Sequence, residues 1–431
     1  MHCFQTRSCR VFCWGIISLA FLATSVRAAD KGNAAPTVAK KEAATKAVLS
    51  LLKSKSEQSW PRGVASLTME SLDDDRIVNA LISIAHRETV TQRFTPALVQ
   101  VITCLGQAKQ PAALDELTVL LNDKDYRVVM AAADIVSKAH DRDFLEPLLA
   151  LPKRSEYQSR YGFRRCVVDA VARFKEKSAL EFLLDRLENS DGQLKYEIAL
   201  SLERTTGQQF GGKADQWRRW WSENSDNFVF VSRTEDAKPI PLEAPPKPIP
   251  WDEARPSFYG MTIYAKRVVF VIDRSGSMCT TINNESRLAR AQQELRKAIR
   301  GLSENDFFNI VAFDDQMEVF QTKLVQATDA NKSGGIQFSE RLVPRGQTAC
   351  YEPLKMALEA DHSLELILFL SDGEPNSGAL PDPPAIVIAI TNHNLTQRTT
   401  INALGIDARG SYEFFLMDLA ERNSGKLLLL R

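Results

Sequence analysis

From about residue 47 to 205, apolar side chains recur three and four positions apart, the spacing that gathers them on one face of an α-helix. The stretches 94–108 (FTPALVQVITCLGQA), 125–139 (DYRVVMAAADIVSKA) and 194–207 (LKYEIALSLERTTG) carry the pattern most clearly, and no alternating strand interrupts it. Three segments of this region align: AKQPAALDEL (108–117), AHDRDFLEPL (139–148) and FKEKSALEFL (174–183). Leu114, Leu145 and Leu180 take equivalent places in them, so the periods are 31 and 35 residues. Each segment leaves one helix through a polar turn and opens the next, and a charged turn and a second apolar helix follow. One such helix pair cannot bury its own apolar face, so recurrence at this period predicts a stacked solenoid.

The pattern then changes twice. In GGKADQWRRWWSEN (211–224), Trp217, Trp220 and Trp221 stand at i, i+3 and i+4 and share a helix face. With Arg218 and Arg219 they could stack on a nucleic acid. The preferred reading is a terminal helix that buries its indoles, because a solenoid end needs an atypical cap. The basic-aromatic run 153–165 is likewise read as a helix face with snorkelling side chains rather than a polyanion site. Residues 235–256 hold seven prolines, which predicts an extended, semi-rigid spacer. Beyond it, strand-like runs (267–273, 307–313, 365–372, 399–406, 426–430) alternate with helical ones (287–302, 351–360, 411–423). That order predicts a mostly parallel sheet covered on both faces, with ligands at the C-terminal ends of its strands.

Composition and charge narrow the function classes. The chain has 54 Lys+Arg against 54 Asp+Glu, so it is neither a polycation nor an acidic tail. Five His leave little material for a His-based metal site or catalytic apparatus. Arg7 and Arg10 precede an apolar run, Val11 to Val26, which is followed by Arg27, Ala28 and Ala29. A short basic region, a medium apolar core and small residues at its exit describe a signal peptide cleaved after Ala28, the run being short for a membrane span. The expected organisation is a signal peptide at 1–28, a loose lead-in at 29–46, helical repeats with a Trp-rich cap at 47–232, a Pro-rich linker at 233–260 and a second domain at 261–431. Of seven Cys, four (Cys104, Cys166, Cys279, Cys350) lie beyond residue 28, too few for a disulfide scaffold. Residues 233–431 carry 22 basic and 26 acidic side chains, so the acidic excess lies with the spacer and second domain.

The chemistry-bearing residues cluster in that second domain. Strand 267–273 runs into Asp273-Arg274-Ser275-Gly276-Ser277-Met278; RGQTACYEPL places Thr348 on a loop before a helix; strand 365–372 ends in Ser371-Asp372-Gly373. Asp273, Ser275, Ser277, Thr348 and Asp372 therefore fall on loops at one edge of the expected sheet. An all-oxygen set with neutral hydroxyls suits a hard divalent cation, Mg²⁺ first and Mn²⁺ or Ca²⁺ next. No GxSxG, HExxH, CxxC or GxxxxGK[ST] motif occurs, and no His is expected beside Ser275, so no enzymatic activity is expected.

The DxSGSM loop, the downstream Thr and the later SDG resemble, in order and spacing, the metal-ion-dependent adhesion site of the von Willebrand factor A (vWA) family, over about 266–431. The stretch DKDYRVVMAAADIV resembles the second helix of HEAT-type repeats. These resemblances imply a multidomain chain, an all-α HEAT-like solenoid followed by an α/β doubly wound, Rossmann-like vWA domain. They imply direct ligation by Ser275, Ser277 and often Thr348, with Asp273 and Asp372 acting mainly through water. The function implied is metal-dependent binding of a protein with an exposed Asp or Glu, in an exported chain of the periplasm, cell envelope or medium, with the repeats as a second protein-binding surface. A nucleic-acid partner is not expected, and a membrane only if the N-terminal segment is retained. Two other readings stay open: a non-catalytic vWA subunit of an ATP-driven complex, and a scaffold with an inactive metal site. Cys279 and Cys350 both fall near the metal edge, either disulfide-bonded or as two separate thiols.

Overall fold

A computed structural model of the chain describes residues 38–56, 58–139, 141–230, 240–282 and 284–431. The expected signal peptide and the start of the lead-in lie outside the described residues. The first part is helical throughout: α1 (Val38–Leu52), α2 (Ser59–Ala65), α3 (Asp75–Val90), α4 (Pro96–Gln107), α5 (Pro111–Leu121), α6 (Tyr126–Ala139), α7 (Leu145–Ala150), α8 (Ser155–Ser159), α9 (Tyr161–Val171), α10 (Lys177–Glu188), α11 (Gly192–Thr206) and α12 (Ala214–Asn224). Local chemistry sets the ends. Thr95 accepts the Leu98 N–H ahead of Pro96 at the first turn of α4, and Gly207 closes α11 in the left-handed conformation with φ of 79°. Two layers result: α1, α3, α5 and α7 stack on one side, and α2, α4, α6 and α9 on the other. The aligned segments 108–117, 139–148 and 174–183 open α5, α7 and α10. One continuous core runs from Leu49 to Ala179, and a second gathers α10, α11 and the cap helix α12, where Trp217 and Trp221 are buried. Trp217 donates its indole N–H to Gly211 O, and Arg218 pairs with Asp185 and Glu188. The indoles thus face the core rather than a stacking ligand.

The second domain contains β1 (Ser257–Phe258), β2 (Met261–Thr262), β3 (Arg267–Asp273), β4 (Thr281–Ile282), β5 (Glu285–Ser286), α13 (Arg287–Gly301), β6 (Phe307–Phe313), β7 (Met317–Val319), β8 (Val325–Gln326), α14 (Asp329–Glu340), α15 (Tyr351–Glu359), β9 (Leu366–Ser371), α16 (Pro383–Asn394), β10 (Thr400–Ile406), α17 (Gly410–Arg422) and β11 (Leu427–Leu430). The main sheet runs β11-β10-β9-β3-β6-β7, with β8 also on β6; only β7 and β8 are antiparallel to their neighbour. Alternation along each strand divides two cores. Val268, Phe270, Ile272 and Leu368 face α13 and α14, whereas Val269, Val271, Ile367 and Phe369 face α15, α16 and α17. This is the doubly wound arrangement, and the chain reverses its direction of growth between β3 and β9. Two helices are silent in the apolar pattern. α14 (DANKSGGIQFSE) is polar and holds two glycines, and α16 opens on Pro383-Pro384 behind an Asp382 cap that accepts the Ala385 N–H.

The Pro-rich segment departs from a free spacer. Residues 240–256 lie as a strap along the second domain. Leu242, a residue with an N–H between Pro241 and Glu243, donates to Leu427 O and accepts from Leu429 N, so the strap covers the exposed edge of β11. Further on, Pro250 O accepts the Gly212 N–H, and a Cβ at Gly212 would meet the Trp251 ring at 2.5 Å.

The two domains meet at the N-terminal edge of the sheet. Arg165 of α9 donates to Arg398 O and pairs with Glu197 at 2.7 Å; Arg398 pairs with Asp134 of α6; Thr400 donates to Glu197; Tyr196 and Tyr264 stack with centroids 4.3 Å apart. A Cβ at Gly162 would lie 2.1 Å from Thr396 O, so only glycine permits this approach of α9. The layer of second helices, at α6, α9 and α11, is thus occupied by the chain's own sheet domain. The basic run 153–165 is also consumed internally: Arg154 donates to Asp123 O, Arg160 lies over Tyr126, and Arg164 donates to Tyr157 O and Gln158 O.

Glu365, buried just before β9, ties the junction together. Its Oε2 accepts the backbone N–H of Gln193, at the start of α11, at 2.9 Å and that of Lys266 at 3.0 Å. Burial outweighs these two donors and pushes its pKa up from 4.5 to about 7, with Asp191 adding to the rise and Arg267 opposing it. The folded chain keeps a proton that the unfolded chain releases near 4.5, so this contribution is full below that pH and is lost as pH rises through 7. Both donors reach one oxygen, so Gln can replace the protonated acid with its carbonyl. Glu365→Gln is expected to flatten the fall in unfolding free energy between pH 4.5 and 8, by up to about 3 kcal/mol, in urea titrations against wild type. Parallel pH profiles for the two proteins would contradict this.

Candidate metal centre

The five candidate oxygen-bearing residues come together where the topology reverses, at the C-terminal ends of β3 and β9. Seven residues of β3 separate this edge from the repeat domain, about 20 Å. Asp273 ends β3 with its side chain buried. Its Oδ1 accepts the Ser275 N–H at 2.7 Å, which folds the loop back, and its Oδ2 accepts from Ser371 Oγ at 2.5 Å. Ser275 Oγ lies 3.1 Å from Ser277 Oγ, and Ser277 Oγ donates to Asp372 Oδ1 at 2.6 Å. Thr348 arrives on a separate loop, its N–H donating to Asn376 Oδ1 at 2.9 Å. A Cβ at Gly373 would sit 3.8 Å from Thr348 Oγ1 and 3.9 Å from Ser277 Oγ, so both hydroxyls border the space above Gly373.

The Thr348 loop is held by backbone. Gly276 N–H donates to Gly346 O at 3.1 Å, Arg345 N–H to Arg274 O at 2.9 Å, and Ala349 N–H to Asp314 O at 2.9 Å. Gly346 has φ of 67°, and a Cβ there would lie 2.1 Å from Asp315 Oδ1, so the turn requires glycine. Beneath it Arg274, itself buried, pairs with Asp314 at 3.0 Å and Glu318 at 2.6 Å, and Arg345 pairs with Asp314 at 2.8 Å. These ion pairs fasten the DxSxS loop to the end of β6.

Electrostatics separate the two carboxylates. Asp372, whose side chain is fully buried, receives Arg287 Nη1 on Oδ2 at 2.8 Å, and the same guanidinium reaches Asp407. Asp273 has no ion-pair partner among the described residues. Burial pushes its pKa up to about 6 despite the Ser371 and Ser275 donors, and Asp372 adds to the rise. A buried carboxylate without a countercharge beside three hydroxyls fits a hard cation. Among the described residues no group of three or more His, Cys, Asp or Glu is placed to hold a metal, so a cation here would rest on hydroxyls.

Sequence reasoning missed Arg287, Asp407, Ser371 and Asn376. Ser371 stood beside Asp372 in the SDG motif and was legible there. Arg287 opens α13 behind the Ser286 cap and looks like any solvated helix charge until the fold brings Asp372 and Asp407 to it.

Residues 268–374 match the family described as the von Willebrand factor type A domain. Among curated proteins the chain is similar to inter alpha-trypsin inhibitor heavy chain 4 of Mus musculus (27% identical over 172 residues, 37% of this chain and 17% of that protein). It is also similar to inter-alpha-trypsin inhibitor heavy chain H4 of Homo sapiens (28% over 177 residues, 38% and 18%). The chain thus spans under a fifth of the length of these relatives. Among solved structures it is similar to a von Willebrand factor type A protein from Catenulispora acidiphila (22% identical, TM-score 0.34, 39% of this chain and 40% of that one). A second is BatB from Bacteroides thetaiotaomicron (16%, TM-score 0.31, 38% and 89%).

Of the two cysteines near this edge, Cys279 is exposed and Cys350 is buried at the start of α15, both as free thiols. Burial pushes the Cys350 thiol well above its usual range. Brief maleimide treatment of the folded chain, followed by peptide mapping, is expected to modify Cys279 and to spare Cys104, Cys166 and Cys350 until denaturant is added. Recovery of a Cys279–Cys350 disulfide peptide would overturn this.

Proposed function

We propose, from the premise that residues 268–374 form a von Willebrand factor type A domain, that the chain is an exported protein-binding scaffold whose sheet edge holds a divalent cation, Mg²⁺ first. The observation that carries this reading is the meeting of Ser275, Ser277 and Thr348 hydroxyls beside Asp273, a buried carboxylate with no cationic side chain of its own. Ser275, Ser277 and Thr348 would hold the ion, and Asp273 and Asp372 would steady it through the hydroxyls and through water. A bound cation of this kind offers an electrophilic position that takes an acidic side chain. Arg287 keeps one oxygen of Asp372 engaged, which favours a neutral ligand set and leaves the ion short of negative charge. The surroundings suit a protein ligand. Exposed Met317 opens β7 opposite Phe313 on one flank, exposed Val343 precedes the Thr348 loop, and exposed Phe414 lies on α17 on the other flank. Ser411, one turn before Phe414, bonds to Glu374, two residues beyond Asp372. Export rests on the Val11–Val26 run; no helix among the described residues is long and apolar enough to cross a membrane.

Calorimetric titration of MgCl₂ and MnCl₂ into the full chain is expected to show one saturable site. Asp273→Ala and Thr348→Ala should weaken it at least tenfold while circular dichroism stays unchanged. Equal affinity in Asp273→Ala would sink the metal reading. Arg287→Met removes a fixed positive charge and frees Asp372 Oδ2, so cation affinity is expected to rise about tenfold, about 1.4 kcal/mol. A fall would show that Arg287 instead supports the loop.

A further inference from the structure

At the domain junction, on the sheet edge remote from Asp273, a narrow crevice opens between α11, the Pro-rich strap and the starts of β10 and β11. Its lining contains two lysines, Lys247 and Lys426, and no carboxylate. Neither lysine forms an ion pair among the described residues. Among the described residues the one polar contact of Lys426 Nζ is the Tyr196 hydroxyl, at a long 3.5 Å. Burial, and then the neighbouring Arg204, push the Lys426 pKa down, the mark of an ammonium without a compensating anion. The nearby acids are already engaged. Glu197 pairs with Arg165 and accepts from Gln193 and Thr400; Glu203 accepts the Gly211 N–H; Asp252 is held by Lys195 and Lys213. Donors also gather here. Asn402 uses its carbonyl on the Lys426 N–H at 2.9 Å, which leaves its amide nitrogen free to donate, and the Ser424 hydroxyl completes the rim.

We propose that this crevice binds a small multivalent oxyanion of the phosphate class, held by Lys426 and Lys247 and oriented by Asn402 and Ser424. Two ammonium groups with neutral donors from separate chain segments match such an ion. The groups belong to different parts of the molecule: Lys247 to the strap, Tyr196 to the repeats, Asn402 and Lys426 to the sheet domain. An anion among them would tie the three together, and by mass action its binding stabilises the docked arrangement. The site is about a strand length from the candidate cation centre and does not depend on it.

The test is calorimetric titration of the full chain with inorganic phosphate and, separately, with glycerol 3-phosphate. Sodium chloride keeps ionic strength constant, and EDTA excludes phosphate carried by a divalent cation. One saturable site is expected, at least tenfold weaker in Lys426→Met, several-fold weaker in Lys247→Met and retained in Lys426→Arg. The tighter of the two ligands tells the free ion from its ester. Unchanged melting of the variants in chloride alone would show that they fold. Absence of saturable binding of either ligand by wild type, or equal affinity in a folded Lys426→Met, overturns the proposal.

Discussion

One strand, β9, carries a buried carboxylate at each end, and the architecture depends on how each is satisfied. Glu365, immediately before the strand, accepts backbone N–H groups from Gln193 of the repeats and Lys266 of the sheet domain. Asp372, immediately after it, accepts from Ser277 and Arg287. Glu365 therefore fixes the register between two domains, because neither N–H can be lost without leaving a buried acceptor short. Asp372 fixes the loops of the opposite edge. Because β9 lies between β3 and β10 in the middle of a doubly packed sheet, neither end moves without shifting close-packed neighbours.

That arrangement changes how the two domains relate. Proline content alone argued for a spacer, and a spacer separates its neighbours. Here the same residues lie flat, because the β11 edge offers unpaired backbone groups and Leu242 can meet both. The repeats meet the sheet through charge at buried Arg165 and half-buried Glu197, Arg398 and Asp134. Arg165 is the fully buried member, so loss of Glu197 would leave its guanidinium short of a countercharge inside the junction.

The fold was legible in the sequence wherever burial is two-sided or strictly periodic. RVVFVID and FFNIVAF read as strands, and 287–302 as a helix, because their apolar positions had no other use. α14 and α16 were not legible, since one is polar with two glycines and the other begins with two prolines, and their helicity rests on Thr328 and Asp382 caps and on packing. The candidate-site residues were legible because each sits at a strand end or on a loop beside a helix start, positions that topology alone brings together. Arg287 and Asp407 were not, because 120 residues separate them and only the fold makes them partners.

Three carboxylates at the ends of β3 and β9 must lose water, and comparing them locates the unfinished chemistry. Glu365 meets its burial by keeping a proton to about pH 7 and by using backbone donors. Asp372 meets it with the Arg287 guanidinium. Asp273 has neutral donors alone, from Ser371 and Ser275, and these do not offset burial, since its pKa still stands at about 6. A carboxylate whose donors are all neutral is stabilised as an anion by a positive charge placed nearby. The chain supplies such a charge to Asp372 and withholds it from Asp273, with three hydroxyls arranged around the gap. Were the edge merely structural, an arginine or lysine beside Asp273 would serve it better than serines do. The withheld charge is the feature that argues for a cation from outside the chain.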